Sequence, residues 1–163
     1  MATDTFSPMM ARYVTAAQVA LDPSPSRVIT FQPGEEVAWD ECCEGQLWCR
    51  IIRVGAGSYR GKADGTVCDI PYWTLTLGLG VIRCVGVLDD NGTAPTAARI
   101  SADGLQANQD IAALSEVITC IGLTTGILGW IPLGPQGGCA GGEWQFETRV
   151  AVCACPPERY PVQ

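Results

Sequence analysis

Nine cysteines and no histidine bound the chemistry open to this 163-residue chain. The thiols stand at 42, 43, 49, 68, 84, 120, 139, 153 and 155. Without histidine the usual general base, proton shuttle and commonest metal ligand are all missing. Ser–His and Cys–His nucleophile pairs are excluded with it. An odd number of cysteines rules out complete intramolecular pairing. The opening Met-Ala-Thr-Asp-Thr-Phe-Ser-Pro has no basic stretch leading into an apolar core, so no secretory signal is expected. In a reducing compartment the expectation is that most are unpaired thiols packed as small hydrophobes, with oxidation of some in a virion left open. Two groupings invite a zinc reading: Cys42, Cys43 and Cys49 with Cys68, and Cys153 and Cys155 with Cys139. Structural zinc usually takes thiol pairs two to four residues apart, or a histidine partner. Adjacent Cys42 and Cys43 would point to opposite faces of a strand, and Cys153-x-Cys155 is too short for the usual knuckle. Neither metal nor cofactor is expected.

The remaining polar groups offer little more. Asp40, Glu41 and Glu44 lie close in sequence, as do Asp89 and Asp90; such pairs can do acid–base work or hold Ca²⁺. Here they fall at predicted turns, where carboxylates are commonly solvated. Gly55-x-Gly57 and Gly137-Gly138-x-x-Gly141-Gly142 lack the strand–loop–helix order and the Lys-Ser/Thr of a nucleotide loop. Asn91-Gly92-Thr93 matches a glycosylation triplet, but reads here as a tight turn of type I′. No catalytic residue is assigned, and a non-enzymatic role is expected.

The elements that must carry these residues follow from periodicity. Residues 8–22 bring Met10, Tyr13, Val14, Ala17 and Leu21 together at helical spacing, with Ser7-Pro8 as cap and first turn. Strands are expected at 27–31, 37–43 and 47–54. Residues 55–69 form a polar, glycine-rich loop. The longest strand is 73–87. Trp73, Leu75, Leu77, Leu79 and Val81 share one face, and small Gly78 and Gly80 on the other admit close approach. Residues 95–120 read as helix, split by Gly104 into two. Residues 122–142 read as a glycine- and proline-rich connection. A final strand at 143–155 alternates Trp144, Phe146, Val150 and Val152 with polar residues. At this length one domain, 1–163, is expected. Helices segregated from a run of strands predict an α+β fold, with a mostly antiparallel sheet flanked by an N-terminal helix and a central helical pair.

The net charge is −7, from 17 acids against 10 bases, of which only Lys62 is lysine. That balance argues against wrapping a phosphate backbone. Arg12, Arg27, Arg50, Arg53, Arg60 and Arg83 could still gather into a DNA-facing patch, or offset acids across subunit contacts. No apolar run reaches membrane-spanning length: the longest approach, 118–133, is broken by Gly122, Gly126, Gly129 and Pro132.

The order of helix (8–22), strands including 73–87, helical 95–120 and terminal strand 143–155 resembles the tail terminator, or tail completion, proteins of long-tailed phages. The single lysine and the Gly-Gly-Cys-Ala-Gly-Gly-Glu-Trp segment are also similar to small virion proteins of actinobacterial phages. The resemblance implies a non-enzymatic α+β subunit made in the host cytoplasm and placed at the head–tail junction of the virion. It implies a homohexameric ring that caps the tail tube and meets connector or stopper proteins. DNA would pass through its lumen without sequence-specific binding. The nine cysteines and the 55–69 loop depart from the family pattern. The alternatives are a head–tail stopper, adaptor or other tail protein; a small cysteine-rich metal- or protein-binding module; and an enzyme without histidine. Aromatic and loop residues are the expected oligomer and partner contacts: Tyr59, Arg60, Tyr72, Trp73, Trp130, Pro132, Leu133 and Gln136.

Overall fold

A computed structural model describes residues 4–39, 42–56 and 72–150. Within them the order is α1 (Ser7–Ala20), β1 (Arg27–Gln32), β2 (Gln46–Ala56), β3 (Trp73–Cys84), α2 (Ala97–Cys120), β4 (Thr124–Gln136) and β5 (Cys139–Val150). The strands form one sheet in the order β1-β2-β3-β5-β4. Every neighbouring pair is antiparallel except β1–β2. This is the expected α+β class with a mostly antiparallel sheet.

Period-two patterning on β2, β3 and β5 gives the sheet two different faces. Leu47, Cys49, Leu75, Leu77, Leu79, Val81, Phe146 and Val150 turn to one face and join Met10, Tyr13, Val14, Ala17, Leu114 and Ile118 of the helices in the main core. The Tyr13 and Phe146 rings meet at 4.8 Å between centroids. The Tyr13 hydroxyl also shares a 2.9 Å hydrogen bond with the Thr124 hydroxyl. Both helices therefore lie on one face. The other face carries a smaller cluster of Cys42, Trp48 and Ile82, flanked by Val37, Trp39, Cys84, Leu133 and Cys139.

The small side of β3 has a specific use. A Cβ placed on Gly80 would overlap the Trp48 ring and lie 2.6 Å from the Gly142 carbonyl oxygen. One on Gly78 would lie 2.6 Å from a Glu143 carboxylate oxygen. Glycine here is a packing requirement rather than a bend.

Seven sequence expectations need correction. The N-terminal cap is not Ser7: the Asp4 carboxylate accepts the backbone N–H of Phe6 and of Ser7, each at 3.0 Å. Residues 37–39 are not a strand. They belong to an irregular crossover, held to the sheet by the Gln46 side chain, which donates to the Ala38 carbonyl at 2.8 Å. A parallel β1–β2 pair needs such a crossover of about a dozen residues. The 73–87 strand stops at Cys84, because Gly86 N–H turns away to the Asp103 carboxylate of α2 at 2.8 Å.

Residues 97–120 form one helix and not two. Gly104 is exposed with open space around it, so its cost is about 1 kcal/mol of helix propensity, too little to break a packed helix. Thr96 caps α2 by accepting Arg99 N–H at 3.2 Å. Deeper in, Asp110 is paired with Arg83 of β3 at 2.6 Å. The expected connection at 122–142 is mostly β4, a 13-residue strand. Its register shifts three times, and Gly129 and Gly134 take positive φ. An edge strand tolerates such interruptions, since only one side must satisfy a ladder. Gly137 and Gly138, at φ +57° and +80°, form the two-residue hairpin turn between β4 and β5.

The final strand starts earlier than expected, at Cys139, and is described to Val150. Its expected continuation to 155 and most of the 55–69 loop lie outside the described residues. The Asn91-Gly92 turn is not type I′: only Gly92 has positive φ, and the Asp89 carboxylate accepts Asn91 N–H and Thr93 N–H instead.

Replacing Gly80 with valine should lower stability by about 1–3 kcal/mol through overpacking against Trp48 and the β5 backbone. Thermal unfolding checks this, with the exposed Gly104→Val substitution as the contrast. An equal loss at both sites would contradict the packing account.

Candidate functional site

The second sheet face concentrates the polar and sulfur chemistry. Even-numbered residues of β3, even-numbered residues of β2 up to Arg50 and odd-numbered residues of β5 turn that way. Trp48, Arg50 and Glu143 consequently meet across β3, above Gly78 and Gly80. The Trp48 indole N–H donates to Glu143 Oε2 at 3.1 Å. Arg50 grips the same carboxylate in bidentate fashion, Nε to Oε2 at 2.9 Å and Nη2 to Oε1 at 2.5 Å. Gln145 donates to Oε1 at 3.0 Å, and Arg50 also donates to the Glu35 carbonyl. The Glu143 side chain is 1% exposed.

Burial pushes the Glu143 carboxyl up, but hydrogen bonds from Arg50, Gln145 and Trp48, with the Arg50 charge, together hold it below the usual 4.5. A carboxylate so held is a structural anion and a poor proton donor or acceptor at neutral pH. Below it, on the helix face, the Cys49 thiol is pushed up to about 12, by burial first and by the Glu143 charge second. It stays protonated and unreactive.

The cysteines depart from the expected unpaired thiols. Cys42 is bonded to Cys139, and Cys43 to Cys84. The strand register explains the meeting: Cys84, at the end of β3, is the direct partner of Cys139, at the start of β5. The 42–45 segment is a turn closed by Gly45 N–H to the Cys42 carbonyl at 2.8 Å, with Gly45 at φ +79°. A turn lets neighbouring side chains converge where a strand would send them apart. The first sequence grouping for zinc is not brought together. Cys49 belongs to the opposite sheet face, and Cys68, Cys153 and Cys155 lie outside the described residues. The free cysteines among the described residues are buried Cys49 and exposed Cys120.

The expected contact residues fall into separate places. Tyr59 and Arg60 lie outside the described residues. Tyr72 is half-buried under the Arg149 guanidinium, 4.7 Å from its ring centroid. Trp73, also half-buried, pairs with Val150 at that same end of the sheet. Trp130 packs edge-on against Trp144 at 5.9 Å and leans on the main core. Leu133 packs on the cysteine cluster, while Pro132 and Gln136 are exposed. Tyr72 and Trp73 are thus a full strand length from Gln136, about 35–40 Å at 3.4 Å per residue, and do not form one surface with it.

Two arginines of the suggested patch turn to opposite faces of the sheet, and Arg60 lies outside the described residues. Arg50 is taken up by Glu143 on one face and Arg83 by Asp110 on the other. Of the candidate acids, Asp40 and Glu41 lie outside the described residues, Glu44 accepts the Ser26 hydroxyl at 2.9 Å, and Asp89 holds its turn. Sequence reasoning missed the exposed apolar residues of β4: Ile127, opposite Phe146 on the helix face, Leu128, and Ile131, opposite Glu143 on the second face. Their signal was masked by the surrounding glycines and prolines. No described helix is long and apolar enough to cross a membrane. A scan against protein-family models finds no match, and a search of curated proteins finds none.

Removing the cation from the buried pair, Arg50→Ala, should cost about 3–5 kcal/mol at neutral pH, because the Glu143 charge remains buried without it. The folded carboxyl sits below 4.5, so the ion pair contributes fully above that pH and is lost as pH falls through the lower folded value. The deficit of the variant should therefore shrink in acid. Urea unfolding across that range tests it; a deficit independent of pH would contradict the assignment.

Proposed function

We propose that this chain is a non-enzymatic virion protein that assembles with copies of itself at the head–tail junction of a long-tailed phage, as a tail terminator. The observation that carries the reading is the β4 edge. Among the described residues this 13-residue strand is paired on one side only, to β5, and Ile127, Leu128 and Ile131 are exposed along it. A long edge strand with apolar side chains is a template for pairing with another chain unless it is covered. Its bulges and Pro132 favour a side-chain seam over simple strand addition.

A heterologous contact, in which this edge meets a different flank of the next copy, closes into a ring when the rotation permits. Such a ring ends tube growth sterically, by showing the next tube subunit an unfamiliar face. The other contacts in this reading are the tail tube protein on one side and connector or stopper proteins on the other. An acidic lumen lets DNA pass without tight binding. The polar groups also suit a structural role: among the described residues, the buried carboxylates Glu143 and Asp110 are each paired with an arginine of the sheet.

Mass photometry and negative-stain images of the full chain, alone and with cognate tail tubes, should show a ring, expected to be sixfold, seated at tube ends. The double substitution Ile127→Lys and Ile131→Lys should abolish both ring and capping while leaving the far-UV circular dichroism unchanged. A chain that stays monomeric in both settings, or a double variant that still caps tubes, would overturn the proposal.

A further inference from the structure

Four sulfur atoms from three distant segments converge on the second sheet face. The Sγ atoms of Cys42, Cys43 and Cys84 all lie within 4.8 Å of one another. Cys42 and Cys84, which are not bonded to each other, stand 3.9 Å apart. The fourth sulfur, of Cys139, is bonded to Cys42. In a tetrahedron of four thiolates about 2.3 Å from a zinc ion, neighbouring sulfurs are about 3.8 Å apart. The unbonded separation already matches that edge.

We propose that, once reduced, Cys42, Cys43, Cys84 and Cys139 form a structural site for one zinc ion. The argument from sequence against zinc assumed that Cys42 and Cys43 sit on a strand and diverge. The 42–45 turn removes that premise. The backbone presents all four ligands from fixed positions. Cys84 and Cys139 face each other in the β3–β5 ladder, and the turn lays the adjacent pair over them. The Cα atoms of Cys42 and Cys139 are 5.8 Å apart and those of Cys43 and Cys84 are 4.5 Å apart. Four soft thiolates with no oxygen donor among them select zinc over magnesium or calcium.

The surroundings suit a closed structural site. Trp48, Ile82, Trp39, Val37 and Leu133 pack around the sulfurs on the sheet side. Cys42 is buried, Cys84 and Cys139 are half-buried, and Cys43 is exposed, which leaves an entry path on one side. Either form of the cluster staples the crossover to the ends of β3 and β5.

The chemistry balances with a phosphine reductant. Each disulfide takes two electrons from one phosphine and two protons, giving two thiols. The phosphine becomes its oxide with an oxygen from water. Zinc then displaces the four thiol protons to solvent, leaving a tetrathiolate centre of net charge −2. Metal binding is accordingly favoured by rising pH.

The full chain, reduced with the phosphine under anaerobic conditions and given zinc chloride, should bind one zinc per chain by elemental analysis. Cobalt(II) in its place should give the intense visible bands of a tetrahedral thiolate. Zinc should shield Cys42, Cys43, Cys84 and Cys139 from alkylation by iodoacetamide, read by peptide mass spectrometry, and leave Cys120 open. Cys84→Ser should lose the tetrathiolate cobalt spectrum, while Cys49→Ser and the triple Cys68→Ser, Cys153→Ser, Cys155→Ser variant keep it. The shielding measurement uses the unmodified sequence, so it holds even where a variant fails to fold. A reduced, folded chain that takes up no zinc, or zinc that shields a different set of thiols, sinks the proposal. The outcome is independent of whether the chain forms a ring.

Discussion

The Trp48 ring lies over Gly80 of the central strand, and the Glu143 carboxylate lies over Gly78. Much of the second sheet face follows from those two approaches. Because β3 has no side chain at these points, groups from β2 and β5 reach across it and meet. Arg50 and Glu143 can pair only over that bare stretch, with the Trp48 N–H sharing the carboxylate. A charge pair this buried gains little net stability over an apolar substitute, but it is costly to half-remove. It also fixes which side chains face each other, and so the register of three strands.

The same register sets the sulfur cluster. β3 and β5 pair residue for residue from Trp73 with Val150 to Cys84 with Cys139. A slip of one residue would send one of the two thiols to the helix face. Trp48 and Ile82 pack beside the cluster and join it to the packing over Gly80. The crossover between β1 and β2, which has no regular structure of its own at 37–39, is held by Gln46 and by the bonds from Cys42 and Cys43. The helix face is built differently. It has an apolar core, and its main polar tie is the Arg83–Asp110 pair.

These two faces leave the sheet edges as its open borders. β1 is short, with 6 residues, whereas β4 is long and carries exposed apolar residues on both faces. Among the described residues, a sheet whose buried charges are paired thus has one long border without a neighbouring strand. That arrangement suits a subunit whose work is done by contact with neighbours.

The sequence alone determined the elements whose pattern is both regular and buried. Helix α1, the core strand β3 and the alternating part of β5 follow from spacing, because one face of each must leave water. The bare face of β3 was legible for the same reason, in Gly78 and Gly80. Tertiary structure decided what depends on partners distant in the chain. It made β4 a strand, since β5 supplies the ladder that a run of glycine and proline cannot specify. It kept α2 whole through Gly104, since packing and the Arg83–Asp110 pair outweigh a local propensity. It brought together Cys42, Cys43, Cys84 and Cys139, separated by up to 97 residues, through strand register and a turn. Local residue types carry no record of either.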